Sequence, residues 1–149
     1  MSTELSARVV LQDNLHFVGS DVSGYTVDLD ATAAAGGGKG LTPMELLLIS
    51  LASCSAMDVI GILRKKRQPV EGMEVRAQGQ RTAEHPTVFT SINLEYLVHG
   101  AGVDPVAVAR AIELSREHYC PVWAMLGKSM EITSSFRILH DDPMLVLAT

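Results

Sequence analysis

Apolar and polar positions along the chain change period several times, and each change marks an element. Residues 5–11 and 24–30 show the β-branched alternation of strands, with turns at Asp13-Asn14 and Gly19-Ser20. The first part of the chain is therefore expected to be a short meander, followed by the flexible loop ATAAAGGGKG at 31–40. A helical period starts at LTPMELL. Thr42 suits the N-cap, Pro43 the first helical position, and Glu45 completes a capping box. The pattern predicts a helix to about residue 67, ended by Gln68-Pro69. From Leu46 to Met57 this helix is apolar almost all round, which predicts burial on several sides. Ser50, Ala52, Ser53, Cys54, Ser55 and Ala56 form a collar of small side chains that lets another helix or backbone approach closely.

Beyond the break, 73–81 and 87–98 alternate and are joined by a turn around Glu84-His85-Pro86, the pattern of a hairpin with Ile92, Leu94, Tyr96 and Val98 on one face. Asp104-Pro105 repeats the cap-plus-proline signature and opens a helix through about Tyr119; a short helix runs from Pro121 to near Gly127. The segment 130–138 is expected as a closing strand with Met130, Ile132, Ser134, Phe136 and Ile138 on one face. The tail 140–149 is apolar at 144–147 and is expected to dock or fray. This order predicts a single α+β domain over residues 1–149.

Composition narrows the function classes. With 47% hydrophobic and 19% charged residues the chain has the make-up of a globular protein, and a formal charge of −5 argues against a nucleic-acid footprint. The one dense basic cluster, Arg64-Lys65-Lys66-Arg67, falls where it complements a helix C-terminus. The run from Leu46 to Met57, bounded by Glu45 and Asp58, is shorter than the roughly 20 residues a bilayer span needs, so no membrane partner is expected. The first residues lack the basic and apolar regions of a secretory signal, so a cytoplasmic location with reduced thiols is expected. Neither Lys39-Gly40 nor Gly127-Lys128-Ser129 has the spacing of a phosphate-binding loop, and GxSxG, HExxH and CxxC do not occur.

That leaves the two cysteines. Cys54, in LASCSAMD, lies mid-helix where small core residues sit, and its nearest charge by helical spacing is Asp58, of the wrong sign to activate a thiol. Cys120, in HYCPVW, falls at the N-cap of the short helix, where the dipole favours a thiolate. His118 and Cys120 make half a metal site with no second pair spaced to complete it, so neither a metal nor another cofactor is expected. On these residues alone Cys54 is either a core filler or a chemical group.

The Gly-rich loop, the Thr-Pro-x-Glu-Leu-Leu helix start, the cysteine eleven residues after that proline and the late Tyr-Cys-Pro together resemble the OsmC/Ohr family, the osmotically inducible protein C and organic hydroperoxide resistance proteins. The Pro-Met-Glu-Leu-Leu pattern is closer to the YhfA-like branch. The resemblance implies an OsmC-like fold: a long buried central helix packed on antiparallel sheets in an intertwined homodimer. It also implies a thiol peroxidase cycle in oxidative stress defence, with Cys54 attacking a small apolar hydroperoxide, Cys120 resolving the sulfenic acid, and a small or lipoyl dithiol as reductant. Leu47, Leu51, Met57 and partner-chain residues would line the substrate pocket. Family members carry a glutamate directly after the helix-starting proline and an arginine before the Gly-rich loop. Here Met44 occupies the first position, and the only arginine in that segment is Arg8. Glu45 comes one residue late, about half a turn out of phase with Cys54. The alternative expectation is a non-enzymatic dimer that binds or senses a small apolar molecule between its subunits, with Cys54 as a pocket wall.

Overall fold

The computed structural model describes residues 2–140, so the apolar tail segment 144–147 lies outside the described residues. The chain divides into two compact units, Met1–Leu47 and Leu48–Thr149, with the boundary inside the long helix.

In the first unit, strands β1 (Ala7–Asp13), β2 (His16–Asp21) and β3 (Thr26–Leu29) form an antiparallel sheet in sequence order. Asn14 makes the β1–β2 turn with φ of 47°, in the left-handed region asparagine tolerates. The turn expected at Gly19-Ser20 lies further on. Gly19 is inside β2, paired with Val9 on one side and Val27 on the other, and a Cβ there would crowd Val27 Cγ1 at 3.3 Å. The chain reverses instead after Asp21, whose carboxylate accepts the N–H groups of Ser23 and Tyr25 at 2.9 Å each.

The Gly-rich segment is hydrogen-bonded rather than a free linker. Buried Asp30 accepts the N–H of Ala31 (2.7 Å) and, across the loop, that of Lys39 (3.1 Å). The Lys39 N–H holds the Asp30 carboxyl below the ordinary carboxylate value, against the opposing effect of burial. Leu41 returns beside Leu29 in a parallel bridge, with the Leu41 N–H on Asp28 O and the Asp30 N–H on Leu41 O, both 3.0 Å. Gly40 lies so close to the Asp28–Leu29 backbone that no Cβ fits.

Helix α1 (Pro43–Lys65) starts with the expected reciprocal cap: Thr42 N–H donates to Glu45 Oε2 (2.9 Å) and Glu45 N–H to Thr42 Oγ1 (3.3 Å). It stops two residues before the expected end because Arg67 turns left-handed (φ 56°). Arg67 and Gln68 then donate back to Arg64 O and Leu63 O, closing a Schellman cap ahead of Pro69.

In the second unit, β4 (Gly72–Arg81), β5 (Phe89–His99) and β6 (Glu131–Leu139) form a sheet with β5 central. The β4–β5 hairpin is antiparallel, with Met73 opposite Val98 and Val75 opposite Tyr96. The expectation of purely antiparallel sheets is corrected here: β6 runs parallel to β5, with Tyr96 opposite Phe136. The two helices between these strands supply the long crossover that parallel pairing requires. Helix α2 (Pro105–Leu114) has Asp104 as its N-cap, whose Oδ1 accepts the Val106 N–H at 2.9 Å. Its expected extension to Tyr119 changes winding, becoming a π-helical turn over Ser115–Tyr119, before helix α3 (Pro121–Leu126).

Only one stripe of α1 is fully buried: Leu51, Ser55, Val59 and Leu63. The expected burial on several sides is therefore not met within one chain, where Ile49 is exposed and Met57 is 72% exposed. The helix spans 23 residues with mean hydropathy 2.1 over its most apolar window, so by length and composition alone it is long enough to cross a bilayer. The Asp58 carboxylate has a partner, Ser115, and the helix continues past it.

The lowered value of Asp30 gives a signed prediction. A depressed carboxyl contributes stability that is present above its unfolded value of about 3.9 and lost as pH falls through the folded value. Urea midpoints measured from pH 5 down to pH 2 are expected to fall more steeply for the wild type than for Asp30→Asn.

Candidate thiol site

Cys54 lies half-buried on α1, next to fully buried Ser55. Cys120 sits at the joint between the π-helical turn and α3, in the extended conformation of an N-cap (φ −82°, ψ 105°), with its Sγ accepting the Trp123 N–H at 3.3 Å. It is 2% exposed, and Trp123 is buried with it. Both thiols are free, and Cys54 lies close enough to Cys120 to raise its thiol. The Cys120 thiol is pushed up to about 12, first by burial and then by the adjacent Cys54; the Trp123 N–H opposes this without prevailing. The expectation that the helix N-terminus favours a Cys120 thiolate is thus overturned by desolvation, and Cys120 is held as the thiol.

A buried polar cluster adjoins the pair. Ser55 Oγ lies 2.5 Å from Tyr96 Oη on β5 and 2.8 Å from Ser115 Oγ in the π-helical turn. Ser115 Oγ donates to Asp58 Oδ2 at 2.9 Å. Burial pushes the Tyr96 phenol up to about 12; the Ser55 hydrogen bond opposes this, and the nearby Cys120 and Asp58 add to it. Sequence patterning places Tyr96 on a strand face and Ser55 in the small-residue collar, and it does not mark them with Ser115 as a polar cluster because each sits in an apolar stripe. The available signal was chemical: a hydroxyl on a core face must find a partner.

The other expected residues are distributed as follows. Leu51 is 0% exposed and belongs to the core. Leu47 is half-buried. Met57 lines an open cavity of about 450 Å³ with Asp58, Gly61, Ile62, Lys65, Lys66, Leu114 and Tyr119. Arg8 is exposed on β1 and lines a separate cleft of about 440 Å³ with Ser20 and Asp21. Glu45 is engaged in the cap, and Lys39 Nζ pairs with Asp13 at 3.4 Å. His118 is exposed against Tyr119, while Cys120 is buried. Among the described residues no three His, Cys, Asp or Glu side chains gather as a metal site.

Two three-stranded sheets, a long capped helix and a cysteine from that helix beside a late N-cap cysteine define the class. The chain belongs to the OsmC-like protein family, whose model matches residues 36–135. Protein YhfA of Escherichia coli (strain K12) is 41% identical over 135 residues, 91% of this chain and 98% of YhfA. The crystal structure of a hypothetical protein from Aquifex aeolicus VF5 superposes with a TM-score of 0.84 at 32% identity, covering 95% of this chain and 100% of that one. The organic hydroperoxide resistance protein OhrB of Bacillus subtilis shares the fold, with a TM-score of 0.62 at 14% identity over 91% of this chain and 98% of its own. The expected family and α+β fold are therefore established.

The raised Cys120 value predicts selective labelling. At neutral to mildly alkaline pH, iodoacetamide is expected to alkylate Cys54 and leave Cys120 unmodified until the protein is denatured, as read by peptide mass spectrometry. Leu51→Ala, which opens a cavity beside Ser55, is expected to lower unfolding stability by about 2–5 kcal/mol in denaturant titrations.

Proposed function

We propose that this protein is a cysteine-based thiol peroxidase for organic hydroperoxides, acting as a cytoplasmic homodimer in oxidative stress defence. The observation that carries the reading is the asymmetric thiol pair: half-buried Cys54 beside a Cys120 that burial keeps protonated. The two cysteines thereby have different tasks. Cys54, as thiolate, attacks the distal oxygen of the hydroperoxide. The S–O bond forms as the O–O bond breaks, sulfur is oxidised by two electrons, and the alkoxide leaves with a proton as the alcohol. Cys120 then attacks the Cys54 sulfenic acid; the S–S bond forms, the S–O bond breaks, and the Cys120 proton departs with the hydroxyl as water. A small or lipoyl dithiol returns both thiols and is itself oxidised to the disulfide. The half-exposed outer faces of α1, with Ile49 and Met57, support a second copy as the cover for this helix.

A second reading rests on Glu45. With Met44 after Pro43 and Glu45 committed to the Thr42 cap, this chain lacks the family's carboxylate at the position that supports a catalytic arginine. The corresponding function is a non-enzymatic dimer that binds or senses a small apolar molecule, with Cys54 in the pocket wall.

Incubation with cumene hydroperoxide and a dithiol separates the two. Peroxide consumption that Cys54→Ser abolishes, with a Cys54–Cys120 disulfide on non-reducing mass spectrometry, is the expected result. Cys120→Ser is expected to retain a single stoichiometric turnover and to stop at the sulfenic acid. A wild type that neither consumes peroxide nor forms the disulfide assigns the binding role instead.

A further inference from the structure

Ser115 makes hydrogen bonds that neither thiol step uses. Its hydroxyl donates to Asp58 Oδ2 and is also bonded to Ser55 Oγ, which meets Tyr96 Oη. A carboxylate only accepts, so the single Ser115 proton points at Asp58. Ser55 must then donate to Ser115, and Tyr96 to Ser55, since each hydroxyl has one proton to give. The chain is polarised in one direction from the sheet to the helix. Tyr96, Ser55 and Ser115 are all fully buried, so no water substitutes for a lost member.

The same residue also sets the backbone of the buried cysteine. Ser115 O accepts the Cys120 N–H at 2.8 Å, the bond that closes the π-helical turn. Ser115 therefore ties Cys120 to α1 at Ser55 and Asp58, the neighbour of Cys54 in sequence and its neighbour one helical turn on.

We infer that Ser115, supported by Asp58 and Tyr96, is a positioning residue for disulfide closure: it holds the Cys120 thiol opposite Cys54. This rests on the reading of Cys54 and Cys120 as a redox pair, and it deepens that reading by naming what fixes their approach. Removing the Ser115 hydroxyl leaves the Asp58 carboxylate and the Ser55 proton without that partner and unties from α1 the turn that carries Cys120, while the turn's own closing bond on Ser115 O stays. Slackening of this kind at reacting atoms slows bond formation steeply.

Diamide oxidation tests the inference without any peroxide. Diamide takes up the two thiol protons and two electrons, becoming the hydrazine as the Cys54–Cys120 bond forms. In quenched-flow mass spectrometry, Ser115→Ala is expected to close the disulfide about tenfold more slowly than wild type, and Ser115→Thr, which keeps the hydroxyl, to remain within about twofold. The rate of Cys54 alkylation by iodoacetamide in the reduced proteins is expected to be equal in all three. Closure at the wild-type rate in Ser115→Ala overturns the proposal, as does a Ser115→Thr variant as slow as the alanine. If Ser115→Ala does not fold, Asp58→Ala decides: slowed closure supports the clamp, and wild-type closure refutes it. A wild type that gives no Cys54–Cys120 disulfide with diamide overturns both this inference and the redox pairing. Normal diamide closure without peroxide consumption removes only the peroxidase reading.

Discussion

Placing Ser55 in the apolar stripe of α1 sets a requirement that the second unit is built to meet. A buried hydroxyl left without a partner costs about 1–3 kcal/mol, so the sheet and the crossover must each present oxygen at one point of the helix. Tyr96 does so from β5, and Ser115 does so from the end of α2, with Asp58 receiving the last proton of the chain. The burial of Leu51, Val59 and Leu63 is non-directional, whereas the hydroxyl contacts add direction to the way α1 meets the sheet and the crossover.

The thiol pair shows how burial assigns roles that the chain's local chemistry would assign the other way. An N-cap position beside Pro121 offers Cys120 a stabilised anion, and the Trp123 N–H does reach its sulfur. Desolvation outweighs the backbone donors of Trp123 and Val122, and the proton stays. Cys54, with no cap and with a carboxylate one turn away, has the accessible sulfur because α1 leaves its outer faces uncovered within one chain. Accessibility, rather than helix electrostatics, separates the two cysteines.

Elements announced by side-chain chemistry at their ends were legible in the sequence. The Thr42–Glu45 box, Asp104-Pro105 and Cys120-Pro121 each predict a helix start, and each is present. The alternation of Ile92, Leu94, Tyr96 and Val98 gave the central strand its buried face. What escaped depends on partners distant in sequence. Strand β2 was obscured because Gly19 mimics a turn, when it is instead a gap into which Val27 fits. The parallel placement of β6 has no local signature, since its pairing is set by the crossover. The proximity of Cys54 and Cys120 came from family resemblance, whereas the serines and tyrosine that hold them together carry no motif.

The loop between β3 and α1 illustrates how composition misleads about mechanics. Ala31–Gly40 looks like spacer, yet Asp30 draws Ala31 and Lys39 onto one carboxylate, and Gly40 lets Leu41 lie against Leu29 as an additional rung of the sheet. The stretch is a clasp, with its ends fixed in register by backbone pairing. An epitope tag or fused domain inserted here, at the site a composition plot would select as most permissive, would break the clasp and release the strand that precedes α1.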